Sequence, residues 1–164
     1  MKKIQMVDLK SQYDFIRKEV AASMESVFES SSYINGPMVQ EFQKELELYV
    51  GVKHVIPCAN GTDALQIALM GLELKPGDEV ITADFTFAAT VEVISLLHLK
   101  PVLVDVHPRT FNIDPEAIEK AITKKTKAII PVHLFGQCAE MAEILRIAEK
   151  YNLYVVEDNA QGFG

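Results

Sequence analysis

Three short stretches place chemically able side chains where an apolar run gives way to a polar turn. The first is Cys58-Ala59-Asn60-Gly61-Thr62-Asp63-Ala64-Leu65. Gly61 lets a backbone come close to a bound group, and Thr62 and Asp63 begin a helix whose first N–H groups have no partner within the helix. A helix N-terminus carries roughly half a positive charge, so this turn can cradle a phosphate; it equally fits an ordinary helix start capped by Asn60 or Thr62. The second stretch, Asp84-Phe85-Thr86-Phe87-Ala88-Ala89-Thr90, offers an aromatic face. Stacking on a flat ring is worth about 0.5–1.5 kcal/mol beyond the area buried, although Phe85 and Phe87 also suit a plain core. The third is Val155-Val156-Glu157-Asp158-Asn159-Ala160-Gln161. A carboxylate directly behind a buried apolar strand is costly unless something pairs with it. Asp158 can serve a cationic ring nitrogen, cap the next segment, or join Glu157 at a metal, but no histidine is spaced to complete a metal site.

Such residues need a frame. Tyr13, Ile16, Val20, Met24, Val27 and Phe28 form one stripe of an amphipathic helix over residues 11–29. A second helix begins at Pro37, carries Val39, Phe42, Leu46 and Tyr49 on one face, and stops at Gly51. From residue 54 the pattern becomes short apolar runs alternating with helical periods. Strands are expected at 54–57, 79–82, 101–106, 128–133 and 153–157, and helices at 62–72, 87–97, 115–122 and 140–151. The runs Val102-Leu103-Val104, Ala128-Ile129-Ile130 and Leu153-Tyr154-Val155-Val156 are continuous, the pattern of strands covered on both faces. Alternating strands and helices imply an α/β fold with a mostly parallel sheet flanked by helices. Ligands of such sheets sit beyond the carboxyl ends of the strands, where all three stretches fall.

Composition narrows the classes further. The chain has 164 residues, 49% of them hydrophobic and 24% charged, in the range of soluble globular proteins. A formal net charge of −7 argues against a nucleic-acid binder, which needs a basic face. Cys58 and Cys138 lie far apart and read as buried thiols, not as a metal or disulfide pair. The start is broken by Gln5 and Asp8 before an apolar stretch develops, and no run approaches the roughly 18 apolar residues of a membrane span. A cytoplasmic location without a membrane partner is expected. A dinucleotide-binding domain is disfavoured, because no GxGxxG follows the first expected strand.

Seven motifs in order resemble the DegT/DnrJ/EryC1/StrS aminotransferases: Asp8-Leu9-Lys10, Tyr33-Ile34-Asn35-Gly36-Pro37, Asn60-Gly61-Thr62-Asp63-Ala64-Leu65, Pro76-Gly77-Asp78-Glu79-Val80-Ile81-Thr82, Phe85-Thr86-Phe87-Ala88-Ala89-Thr90, Pro131-Val132-His133-Leu134-Phe135-Gly136-Gln137 and Glu157-Asp158-Asn159-Ala160-Gln161. The resemblance implies the large domain of the pyridoxal-phosphate-dependent, aspartate-aminotransferase-like fold. Residues 1–53 would form an N-terminal helical segment and residues 54–164 the first, incomplete portion of the cofactor-binding domain. It implies pyridoxal 5'-phosphate as cofactor, with the N–H groups of Gly61 and Thr62 and the Thr62 hydroxyl on its phosphate. Phe87 would stack on the ring, Asp158 would pair with the ring nitrogen and Gln161 with the 3-hydroxyl oxygen; His133 would line the same pocket or serve the structure.

The activity so implied is transfer of an amino group, from glutamate, to a keto group of a nucleotide-diphosphate sugar in amino-sugar or surface-polysaccharide synthesis. The Schiff-base lysine of the family would lie beyond Gly164, leaving no catalytic residue in this chain and no activity from it alone. A homodimer is implied as well, with the N-terminal helices and the loop bearing Tyr33 and Asn35 at the contact. Two other readings stay open: a cofactor-dependent sugar dehydratase of the same family, and a non-catalytic phosphate-binding α/β fragment.

Overall fold

The computed structural model describes Ile4 and residues 6–163. The chain divides into two compact units, Met1–Pro57 and Cys58–Gly164.

In the first unit, α1 (Leu9–Ser30) starts at Asp8, whose carboxylate accepts from the Ser11 N–H at 3.0 Å and the Ser11 hydroxyl at 2.7 Å. It ends where Ser31 turns left-handed. Helix α2 (Pro37–Val50) has Pro37 in its first turn and closes on Gly51 at φ 72°, whose N–H donates to the Glu47 carbonyl. Gly36 before it is required by space: a Cβ there would stand 2.3 Å from the Ser32 carbonyl oxygen.

The expected strand at 54–57 does not form. The Val55 N–H donates to the Glu47 carboxylate at 3.2 Å, Pro57 has no N–H for a ladder, and Ile56 is exposed. An apolar run alone cannot make a strand without a neighbour to accept its hydrogen bonds.

The second unit opens with α3 (Gly61–Gly71) and then alternates: β1 (Glu79–Ala83), α4 (Ala88–Leu96), β2 (Lys100–Val104), α5 (Pro115–Ala121), β3 (Thr126–Ile130), a 3-10 turn at Leu134–Gly136, α6 (Met141–Tyr151) and β4 (Tyr154–Val155). The sheet has four strands in the order β2-β1-β3-β4, all pairs parallel. Side chains alternate between its faces. Val80, Ala128 and Ile130 pack with Leu65, Leu69, Val93 and Ile94 of α3 and α4. Ile81, Ala83 and Ile129 pack on the other face with Ile118, Ile144 and Ile147 of α5 and α6.

The inner strand β1 is buried along its whole length and β3 nearly so, as their unbroken apolar runs imply. The outer two depart from that expectation. Leu103 of β2 and Tyr154 of β4 are about half exposed, because an edge strand lacks the second neighbour that would bring helices over both its faces. Among the described residues no helix is long and apolar enough to cross a membrane.

Winding reverses between β1 and β3. From β1 the chain crosses to β2 on one side, then returns past β1 to β3 on the other. At such a reversal the loops leaving neighbouring strands part, and a crevice opens at their carboxyl ends.

Candidate cofactor site

That crevice holds a cavity of about 330 Å³ lined by Gly61, Thr62, Leu65, Phe87, Ala89, Val132, Asp158, Ala160 and Gln161. Its size falls in the range of small-molecule sites, roughly 300–1,000 Å³.

Gly61 and Thr62 stand at the first turn of α3. Asn60 caps that helix: its side-chain oxygen accepts the Asp63 N–H at 2.9 Å, and its NH2 donates to the Asp63 carboxylate at 3.1 Å. Capping therefore uses the third N–H of the helix. Among the described residues no acceptor takes the N–H groups of Gly61 and Thr62 or the Thr62 hydroxyl, so the ordinary cap and the anion cradle coexist. A Cβ added at Gly61 would meet nothing within 4 Å. The small residue is therefore not demanded by the protein's own packing at that point.

Phe87 is the N-cap residue of α4, a position where it provides no side-chain hydrogen bond, and it is 72% exposed. Phe85 is 49% exposed. Neither belongs to the core, which overturns the plainer reading of this stretch. Phenylalanine is a poor N-cap, and here it buries little; what the position provides is an aromatic face at the rim of the cavity.

Asp158 follows β4, held by a parallel bridge to Val132: its N–H donates to the Pro131 carbonyl at 2.9 Å, and its carbonyl accepts from the His133 N–H at 3.1 Å. The residue is 8% exposed. Its carboxylate accepts the Thr90 hydroxyl at 2.8 Å and, more weakly, the Ala160 N–H at 3.3 Å. Thr90 is fully buried and lies 3.2 Å, oxygen to oxygen, from the Thr86 hydroxyl. Because Thr90 gives its proton to the carboxylate, Thr86 must be the donor in that second contact. Thr86 and Thr90 escaped the sequence reading; their i,i+4 spacing at a helix start, beside a strand-end carboxylate, is the signal that could have found them.

Gln161 accepts the Phe135 N–H at 2.7 Å through its side-chain oxygen. That contact fixes which end of the amide is oxygen and leaves its NH2 to donate elsewhere.

His133 does not line the cavity. Its ring is 3% exposed; Nδ1 accepts the Ala139 N–H at 3.2 Å, so Nε2 carries the proton and donates to Glu157 at 2.8 Å. The ring ties strand-end segments together instead. Cys58 and Cys138 are both exposed free thiols, contrary to the expectation of buried ones, because each sits in a connecting segment and not on a packed face.

Sequence comparison decides the family: the profile described as the DegT/DnrJ/EryC1/StrS aminotransferase family matches residues 14–164. The chain belongs to that family. It is 52% identical over 161 residues to the UDP-2-acetamido-2-deoxy-3-oxo-D-glucuronate aminotransferase of Pseudomonas aeruginosa, covering 98% of this chain and 45% of that protein. It is 44% identical to the UDP-N-acetyl-3-dehydro-alpha-D-glucosamine 3-aminotransferase of Acidithiobacillus ferrooxidans, over 98% of this chain and 44% of that one. The crystal structure of NtdA from Bacillus subtilis, with bound cofactor PMP, superposes with a TM-score of 0.96 at 37% identity, over 100% of this chain and 38% of that one. The expected fold of the family's large domain is thus the one found. The chain spans less than half the length of these relatives.

Proposed function

We propose that the protein of which this chain is a part is a pyridoxal-phosphate-dependent aminotransferase acting on a keto sugar linked to a nucleotide diphosphate, with glutamate as amino donor. One observation carries the reading: donors at Gly61 and Thr62, the Phe87 ring, the Asp158 carboxylate and the Gln161 amide border a single cavity. Residues of this kind fit the cofactor. Free N–H groups beside open space at Gly61 suit its phosphate. A buried carboxylate with one short donor suits a cationic ring nitrogen.

When bound, pyridoxal phosphate supplies an electron sink for negative charge that develops on the substrate carbon. The chain's own residues hold and tune it. Asp158 would hold a proton on the ring nitrogen, since a nearby anion favours the charged form. Thr90 engages one carboxylate oxygen; Gln161 would offer its NH2 to the 3-oxygen, and Phe87 would cover the ring. Leu65, Ala89 and Val132 keep that wall apolar.

The similarity to enzymes named for 3-oxo and 3-dehydro UDP-sugars supports a UDP-linked 2-acetamido-3-keto sugar as the acceptor. The product class would be an amino sugar of the kind used in surface polysaccharides. The intact protein would be cytoplasmic and homodimeric, with α1 at the contact; that helix carries an apolar stripe yet has no buried residue. Full-length gene product incubated with such a sugar and glutamate is expected to form 2-oxoglutarate and the amino sugar in equal amounts. Loss of a sugar hydroxyl without 2-oxoglutarate would assign dehydratase chemistry instead, and no reaction together with no cofactor binding would leave a phosphate-binding module.

A further inference from the structure

Asn112 lies outside the cavity, between α5 and β2, and is 4% exposed. A buried amide is costly unless its hydrogen bonds are made. All of these go to one place. Its oxygen accepts the Leu134 N–H at 3.0 Å, and its NH2 donates to the Gln137 carbonyl at 2.9 Å and the Cys138 carbonyl at 3.1 Å. The turn so held has an unfavourable backbone: Phe135 sits at φ 57° and Gly136 at φ 83°. A left-handed phenylalanine is sterically unfavourable and persists only where its surroundings enforce it.

The same turn rests on Gln161 at two points. The Phe135 N–H donates to the Gln161 side-chain oxygen at 2.7 Å, and a Cβ at Gly136 would stand 3.2 Å from the Gln161 carbonyl oxygen. A path of direct contacts therefore runs from Asn112 through the turn to the side chain of Gln161, a residue that lines the cavity.

We infer that Asn112 is a positioning residue for the cofactor cavity: by clamping the 134–138 turn it sets the Phe135 N–H that orients the Gln161 amide. The inference rests on the proposed placement of Gln161 against the cofactor ring. It differs from a purely structural role in one respect: its effect on the cofactor passes through Gln161 and vanishes when that amide is gone.

The test uses the full-length protein, with pyridoxamine 5'-phosphate as the probe, titrated at equilibrium. Asn112→Ala and Gln161→Ala are each expected to weaken the probe about tenfold, the loss of a well-oriented polar contact. The double variant should stay within about twofold of Gln161→Ala. In parallel, hydrogen exchange of the Phe135 amide should quicken about tenfold or more in Asn112→Ala with no probe present. Wild-type affinity in Asn112→Ala, or a double variant about a hundredfold weaker, overturns the inference. If Asn112→Ala does not fold, Asn112→Asp is read the same way, since it keeps the acceptor for Leu134 and loses both donors. A wild-type protein that ignores the probe sinks the proposed function; the clamp is then judged by Phe135 exchange alone, and unchanged exchange overturns it.

Discussion

Thr90→Val removes the donor that supports the Asp158 carboxylate and, with it, the acceptor for the Thr86 hydroxyl. The hydroxyl donates at 2.8 Å to an acceptor that is charged and 8% exposed, from a side chain with no exposure at all. Valine is close to threonine in shape, so no cavity opens and the cost is that of the lost polar contacts, of which half-buried Thr86 can replace its share with water. A hydrogen bond to a charged group is worth about 1.5–3 kcal/mol, against about 0.5–1.5 for a neutral pair. The structure contains its own control. Thr82 is equally buried, and its hydroxyl donates at 2.9 Å to the neutral Ile130 carbonyl. Urea unfolding at neutral pH should therefore show Thr90→Val losing about 2 kcal/mol and Thr82→Val about 1. Thr90→Ser, which keeps the donor, should lose less than the valine variant. A Thr82→Val cost equal to or above that of Thr90→Val would refute the reasoning, because the charge of the acceptor would then not matter.

Gly61→Ala should leave stability unchanged or raise it by about 0.4–1 kcal/mol, since the added methyl meets no protein atom, while cofactor affinity falls about tenfold; thermal unfolding and cofactor titration separate the two effects. Phe87→Ala should cost under about 0.5 kcal/mol of stability, the ring being 72% exposed, yet weaken the cofactor by about 2- to 10-fold, the worth of one aromatic contact; unchanged cofactor affinity would count against stacking. Glu79 is buried, and the Thr123 hydroxyl, then the Lys100 ammonium at 2.9 Å, hold its carboxyl below the ordinary glutamate value. A depressed folded value stabilises fully above the unfolded one, about 4.3, and is lost as pH falls through the folded one. Wild type should therefore lose stability relative to Glu79→Gln between about pH 5 and pH 3, as read from unfolding midpoints.

Local order was legible where one signal sufficed. Pro37 and Gly51 bracket α2 because a proline at the first turn and a left-handed glycine after the last are backbone requirements written into single residues. The inner strands β1 and β3 were legible because burial on both faces leaves an unbroken apolar run. Edge position was not: Val102-Leu103-Val104 looks like an inner strand, and only pairing order reveals that Leu103 faces solvent. Residues 54–57 show the reverse error, an apolar run in which the Val55 N–H goes to a glutamate side chain and not to a neighbouring strand. Within the site, Phe87, Asp158 and Gln161 come after strand ends and Gly61 and Thr62 open a helix, so position along the chain already pointed to the crevice. Thr90 and Asn112 act on partners 68 and 22 residues away, and contacts of that separation leave no local periodicity to read.

The bridge between Val132 and Asp158 extends a ladder in which β4 contributes only Tyr154 and Val155. Among the described strands, the acidic end of the cavity is thus hung on the shortest, while its opposite end sits on a well-formed helix. Along the chain the turn at Gly61 and Thr62 comes roughly a hundred residues before Asp158. A ligand spanning both would act as a late staple, adding about 2.7 kcal/mol to the folded state at a hundredfold excess over its dissociation constant. Ordering of the Asp158 segment and capture of that ligand would then be one event.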